Sequence, residues 1–260
     1  MQTIPQQNIS VKHSGPSGDV LYSLPTAKKL AETYGPIDYY LHAGMLAHYY
    51  DGAKHPDGNV ALTQKRVEMF IPLLESQWYI KKAALWTGEK VVIDLDWHLS
   101  FESGKPYGDI RRWYFHIWPE LTCNLALPTL EVEPIPVDGI VVNRTERYRN
   151  PKISYQFLQH LPDKIYFLGT LEELALFRIE VPKAEFLPCD NFLLTAQYIA
   201  GSKLFIGNQS MCFAIAEGLK VPRVLEAAKG EFNNVIPTGE KAYDFFVQSN
   251  FQTIVNMLVC

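Results

Sequence analysis

Apolar residues fall along the chain in short runs separated by stretches of helical spacing. The runs NISVKH, IDYYLH, KVVIDLDW, GIVVNR, KIYFLG, KLFIG and VPRVLE have the length of strands, and residues 25–33, 64–86, 153–160 and 209–219 set apolar side chains at helical intervals. Strands alternating with helices predict α/β layers built on parallel sheets. One segment breaks the alternation: LPTLEVEPIPVDG, residues 127–139, is proline-rich and follows neither period. It predicts a linker, with one domain over residues 1–130 and a second over 139–260, the last helix being a candidate to pack back on the first domain.

Composition narrows the class of partner. The chain has 260 residues, 47% hydrophobic and 20% charged, enough to bury a full core. Its formal net charge is −4 and its Lys and Arg form no long block, so a surface that tracks nucleic-acid phosphates has little support and small ligands fit better. The opening MQTIPQQNIS lacks the basic and apolar regions of a signal peptide, and no apolar run reaches the roughly 18 residues of a membrane span. The expectation is a cytoplasmic protein without a membrane span. Cys123, Cys189, Cys212 and Cys260 are scattered without a CxxC pair, which suits reduced thiols rather than a zinc site or a disulfide framework.

Two loops concentrate the candidate chemistry. In SGPSGDVLYSLPTAKKL, residues 14–19 follow the first expected strand, at the end where ligands bind in open parallel sheets. Gly15 and Gly18 would let the main chain approach a ligand without a Cβ in the way, and Asp19 stands where the loop meets the next helix. That carboxylate is read either as the helix N-cap or as a proton acceptor. The loop is neither a Walker loop nor a GxGxxG fingerprint. In KLFIGNQSMCFAIAEGLKVPRV, a strand ends at Gly207, Asn208, Gln209 and Ser210 supply capping chemistry, and Gly218 lies near the helix end before Pro222. A helix N-terminus there offers free N–H groups to an anion, with ordinary capping as the plainer reading.

Taken in order, these two segments resemble the paired signatures of glycosyltransferase family nine, the heptosyltransferase-like enzymes. That family carries a strand running into S-x-G-D-V-x-x-x-L-P and, later, a strand running into I-G-x-D-S/T-G before a helix with A-A-A-L-G-V-P. Here Ser17, Gly18, Asp19, Val20, Leu24 and Pro25 lie along the first signature, while Gln209 and Met211 stand where the second has Asp and Gly. DKIYFLGTLEELALF, residues 163–177, looks like the strand element preceding the donor site. The resemblance covers both ends of the chain and little of residues 44–136.

The resemblance implies a glycosyltransferase-B fold: two Rossmann-like domains facing a cleft, with no metal and no cofactor beyond a nucleotide sugar as co-substrate. The implied reaction is an inverting sugar transfer to a glycan or lipid-linked acceptor hydroxyl. Asp19 matches the family's base. Ser17 and Gly18 then belong to the acceptor side, together with Asp96 and His98 of VVIDLDWHLS, whose alternation with Asp94 sets all three on one face of a strand. On the donor side, Asn208, Gln209 and Ser210 are joined by Arg144, Arg147, Arg149 and Lys152 of VVNRTERYRNPK, cations suited to phosphate oxygens or to a solvated turn. A non-catalytic nucleotide- or glycan-binding relative is the alternative, and the DLD triplet leaves a metal-dependent transferase as a third reading. The aromatic run RRWYFHIW serves either a sugar ring or the core.

Overall fold

Continuous apolar runs become parallel strands buried on both faces. The structure, a computed structural model, describes residues 9–47, 57–99, 108–228 and 235–259; Asn8, Ser100 and Cys260 lie outside these. The chain divides into two units, Met1–Asn124 and Leu125–Cys260. In the first, β1 (Ser10–His13), β2 (Ile37–Leu41), β3 (Ile80–Leu85) and β4 (Ile93–Asp94) form a sheet in the order β3-β2-β1-β4, with every adjacent pair parallel. In the second, β5 (Val137–Asn143), β6 (Lys164–Phe167), β7 (Glu185–Phe186), β8 (Ser202–Asn208), β9 (Arg223–Glu226) and β10 (Ala242–Phe245) form a parallel sheet in the order β10-β9-β8-β5-β6-β7.

Capping residues set the helices between them. In the first unit these are α1 (Ser17–Tyr22), α2 (Leu24–Tyr34), α3 (Gln64–Glu75) and α4 (Ile110–Ile117). Thr63 caps α3 by accepting from the Arg66 N–H, and Asp109 caps α4 by accepting from that of Arg111. The second unit has α5 (Leu171–Glu180), α6 (Phe192–Ala200), α7 (Met211–Leu219) and α8 (Gln248–Val259). Asn191 caps α6, and Thr170 with Glu173 forms a reciprocal capping box on α5. The core of this unit joins Ile140, Val142, Phe167, Phe177, Leu204, Ile206 and Val224 to Phe245, Phe251 and Val255. Helix α8 therefore packs within its own unit, its Phe251 ring stacked on Phe245 at 4.0 Å.

Several expected elements differ, each for a local reason. The helix expected over 64–86 stops at Glu75, where the Ser76 and Gln77 side chains both donate to the Leu73 carbonyl and close the last turn. The remainder is β3, paired with β2. The strand expected at KVVIDLDW shrinks to Ile93–Asp94, because the Asp94 carboxylate accepts the Asp96 N–H at 3.1 Å and turns the chain into a 3-10 helix, Leu95–Leu99. Residues 153–160 contain only a 3-10 turn, Gln156–His160. DKIYFLGTLEELALF divides into β6 and α5 at the Thr170 cap.

The proline-rich stretch lies on the second unit. Thr129 and Leu130 donate their N–H groups to the Gly218 carbonyl, Ile135 donates to that of Gln197, and Leu130 is buried. Gly201 passes so near that a Cβ there would lie 1.8 Å from the Ile135 carbonyl oxygen. Backbone bonding of this kind, rather than a helix or strand period, is why the sequence pattern looked like a linker.

Candidate functional site

Each sheet reverses its strand order at one point, and ligands in open α/β sheets bind beyond the carboxyl ends of the strands there. In the first unit the chain runs outward from β1 to β2 and β3, then returns to place β4 on the other side of β1. The carboxyl ends at this reversal are the 14–19 loop and the turn beginning at Asp94. A carboxylate clamps them together: Asp96 accepts from the Ser14 N–H at 2.8 Å and from the Ser14 hydroxyl at 2.7 Å. Lys12 reaches back from β1 to Asp94 at 2.7 Å and Asp96 at 3.4 Å. Burial pushes the Asp96 carboxyl up, but His13, the Ser14 donors and Lys12 outweigh it and hold it below its ordinary value.

Beneath the loop lies His13, fully buried at the end of β1. Its Nδ1 accepts from the Gly15 N–H at 2.9 Å, and its Nε2 lies 2.8 Å from the Tyr114 hydroxyl. That hydroxyl in turn donates to the Asp19 carbonyl oxygen at 3.3 Å. One neutral tautomer, protonated on Nε2, satisfies all three contacts. Burial is the main cause that brings His13 down from 6.5 to about 4, against the opposing pull of Asp96 and with that of His98; Asp94 and Lys12 contribute in opposite senses. Between those two values the unfolded chain binds more protons than the folded one, so stability that is complete above about pH 6.5 is lost as the pH falls toward 4. Urea midpoints measured across this window should fall, and fall less steeply in a His13→Asn chain.

The expected acceptor-side residues separate into two groups. Ser17, Gly18 and Asp19 form the first turn of α1 and are half-buried at the reversal point. Asp19 is not the N-cap: Pro16 occupies that position, with no side-chain cap bond, and Asp19 lies within the first turn. Gly15 does not face outward either, since a Cβ there would lie 2.7 Å from His13 Cε1, whereas one on Gly18 would make an ordinary contact with Tyr22 at 3.7 Å. Asp94, Asp96 and His98 do not share a strand face, because the chain has already turned into the 3-10 helix. His98 is fully buried, donates Nδ1–H to the Leu95 carbonyl at 2.8 Å and stacks on Tyr114 at 4.6 Å, which withdraws it from acceptor contact. Asp96 acts through the loop that it clamps. Trp113 and Tyr114 of the aromatic run are buried on α4.

In the second unit the reversal lies between β5 and β8. The loop after β5 carries Arg144, Arg147, Arg149 and Lys152, and the turn after β8 carries Gln209 and Ser210. Ser210 caps α7 by accepting from the Phe213 N–H, and donates its hydroxyl to Asn143 Oδ1 at 2.7 Å. Asn143 Nδ2 donates to the Leu168 carbonyl, so three strand ends are tied together. Asn208 is fully buried and bridges the two loops: Oδ1 accepts from the Thr145 N–H at 3.0 Å, while Nδ2 donates to the carbonyls of Thr145 and Arg147 at 2.9 and 2.6 Å.

These contacts correct two donor-side expectations. Asn208 has both ends of its amide committed to the loop and positions it rather than meeting a phosphate. Arg144 is buried, with Nε and Nη2 on Glu226, Nη1 on Glu180 and a further bond from Nη2 to the Ile153 carbonyl. Its guanidinium lies 4.4 Å from the centre of the Tyr155 ring. The cations left nearer solvent are Lys152, which is exposed, and Arg147 and Arg149, which are half-buried; Gln209 and Ser210 are half-buried as well. Glu226, His13 and Tyr114 had no sequence signal beyond an acid or aromatic group in an apolar setting.

The α/β architecture with one parallel sheet in each unit has clear counterparts among solved structures. The fold is shared with heptosyltransferases. The Escherichia coli heptosyltransferase WaaC with ADP-2-deoxy-2-fluoro heptose matches at a TM-score of 0.60 and 10% identity, over 96% of this chain and 99% of that one. A glycosyl transferase family 9 protein from Veillonella parvula matches at 0.60 and 13%, over 96% and 89%. The E. coli ADP-heptose lps heptosyltransferase II matches at 0.57 and 15%, over 97% and 98%. No protein-family model and no curated protein matches the chain. Among the described residues no group of three or more His, Cys, Asp and Glu is placed to hold a metal ion, and no helix is long and apolar enough to cross a membrane.

Proposed function

We propose that the chain is a glycosyltransferase that moves a sugar from a nucleoside-diphosphate sugar to an acceptor hydroxyl with inversion and without a metal ion. The observation that carries this reading is Asp19, half-buried in the first turn of α1 at the reversal point of the first sheet, on a loop held by Asp96. In the proposed step Asp19 takes the proton of the acceptor hydroxyl as its oxygen bonds to the anomeric carbon and the bond to the diphosphate breaks. The departing nucleoside diphosphate draws on the N–H groups at the start of α7 and on Arg147 and Lys152. The likeness to enzymes solved with ADP and with an ADP-heptose analogue makes an adenosine-diphosphate sugar the first donor to try. The acceptor is a glycan or a lipid-linked sugar, no further cofactor takes part, and the cytoplasmic assignment belongs to the same reading.

A second reading, a nucleotide- or glycan-binding relative without turnover, is favoured by the internal commitment of Arg144 and Asn208. Melting curves with ADP, UDP and GDP, followed by transfer of labelled sugar with and without EDTA, separate the two. A ligand bound only to the native state raises the melting temperature, by the equivalent of about 2.7 kcal/mol at a hundred times its Kd. The expected result is a shift with one diphosphate and transfer that survives EDTA. A shift without transfer favours the binding relative. No shift with any diphosphate removes the donor site, and loss in EDTA with rescue by Mn²⁺ removes the metal-free step.

A further inference from the structure

We propose that His13 and Tyr114 form a buried clamp that sets the position of Asp19 by holding the loop at Gly15 and the first turn of α1 at Asp19 at once. The clamp rests on the reading of Asp19 as the base. A hydrogen-bond chain leaves the loop at the Gly15 N–H, passes through the His13 ring to the Tyr114 hydroxyl, and returns at the Asp19 carbonyl. Its two ends therefore fall on the segment that carries the carboxylate. Gly15 fits this arrangement sterically, since the loop crosses the imidazole so closely that a Cβ would lie 2.7 Å from Cε1. Tyr114 is itself braced, with His98 stacked on its ring and α4 anchored through the Asp109 cap. Asp96 holds the same loop from the other side through Ser14. His13 and Tyr114 are positioning residues, since they meet the loop and not the reacting atoms.

Two substitutions divide the clamp, because each amide reproduces one ring nitrogen. His13→Asn puts an oxygen where Nδ1 stands and retains acceptance from an N–H two residues on, as in an Asx turn, but loses Tyr114. His13→Gln extends an N–H toward the Tyr114 hydroxyl and loses Gly15. Tyr114→Phe retains the packing and loses the bond to the Asp19 carbonyl. The tests are amide hydrogen exchange at Gly15 and steady-state transfer. Gly15 should exchange about tenfold faster in His13→Gln and at the parent rate in His13→Asn, the loss of one hydrogen bond being read directly. For Tyr114→Phe and His13→Gln, kcat should fall about tenfold with the KM for nucleotide sugar unchanged, as expected when a reacting group is displaced by a fraction of an ångström. Equal Gly15 exchange in all the chains overturns the clamp, as does parental kcat in both Tyr114→Phe and His13→Gln. A parent chain that shows the exchange pattern but transfers no sugar overturns the reading of Asp19 as base and leaves the clamp as a loop anchor.

Discussion

Asp19→Asn is expected to reduce sugar transfer by about 10²-fold or more, the usual weight of a general base, while leaving the fold intact. Asn has the size of Asp and retains its carbonyl oxygen, but it does not accept a proton at neutral pH. Because Pro16 holds the N-cap position of α1, the substitution removes no cap. Its structural effects include loss of the attraction between a carboxylate and the first turn of a short helix, roughly 0.3–1 kcal/mol. Transfer rate and urea midpoint measured on the same preparation separate the roles. A collapse of kcat with a midpoint near the parent value supports catalysis, and an Asp19→Asn chain as active as the parent takes Asp19 out of the mechanism.

The largest expected effect on stability lies in the second unit, at Glu226. Its carboxylate is fully buried and accepts from Arg144 Nε and Nη2, from the Asn150 N–H at 2.6 Å and from the Tyr155 hydroxyl at 2.9 Å. Glu226→Ala leaves the Arg144 guanidinium buried with Glu180 as its remaining ion-pair partner among the described residues, which should cost about 3–5 kcal/mol. Replacing both partners by apolar residues, Arg144→Met with Glu226→Leu, should cost less than Glu226→Ala alone, because the only carboxylate that loses Arg144, that of Glu180, is part-exposed and no fully buried charge is left unpaired. Urea titrations of the three chains decide the matter. If the single substitution costs under about 1 kcal/mol, the pair is not what holds the loop after β5.

Much of this architecture is visible as pattern. Strands β1, β2, β5, β6, β8 and β9 stand out because parallel strands covered on both faces are mostly apolar, and β5 is buried at every position but Asp138. Helix α7 was legible from the Ser210 cap before it, whereas Gly218, read as its terminator, lies inside the helix and the left-handed C-cap falls to Lys220. Strand β3 was not. IKKAAL suits a helix as well as a strand, and only its pairing with β2 decides the matter. At the site, Ser17 to Asp19 could be placed by their position after β1, whereas Arg144 could not be sorted from Arg147. Both are arginines in one polar loop, and what separates them is a glutamate on β9, far along the chain. The Asp94–Asp96 alternation misled for a similar reason: a carboxylate that bonds the amide two residues on ends the strand whose period it seemed to follow.

The bonds of Asn208 and Glu226 also fix an order of events during folding. They hold the loop after β5 from residues 63 and 82 positions beyond Thr145 and Arg144. Contacts of such span wait for a long loop to close before they return any free energy. A growing chain that has made β5, β6 and β7 has no partner for Arg144 on β9 and none for Thr145 on β8. The loop proposed to meet the leaving diphosphate therefore takes its form late, when β8 and β9 have docked on β5, and a chain cut short before β9 would carry the arginine without the carboxylate that seats it.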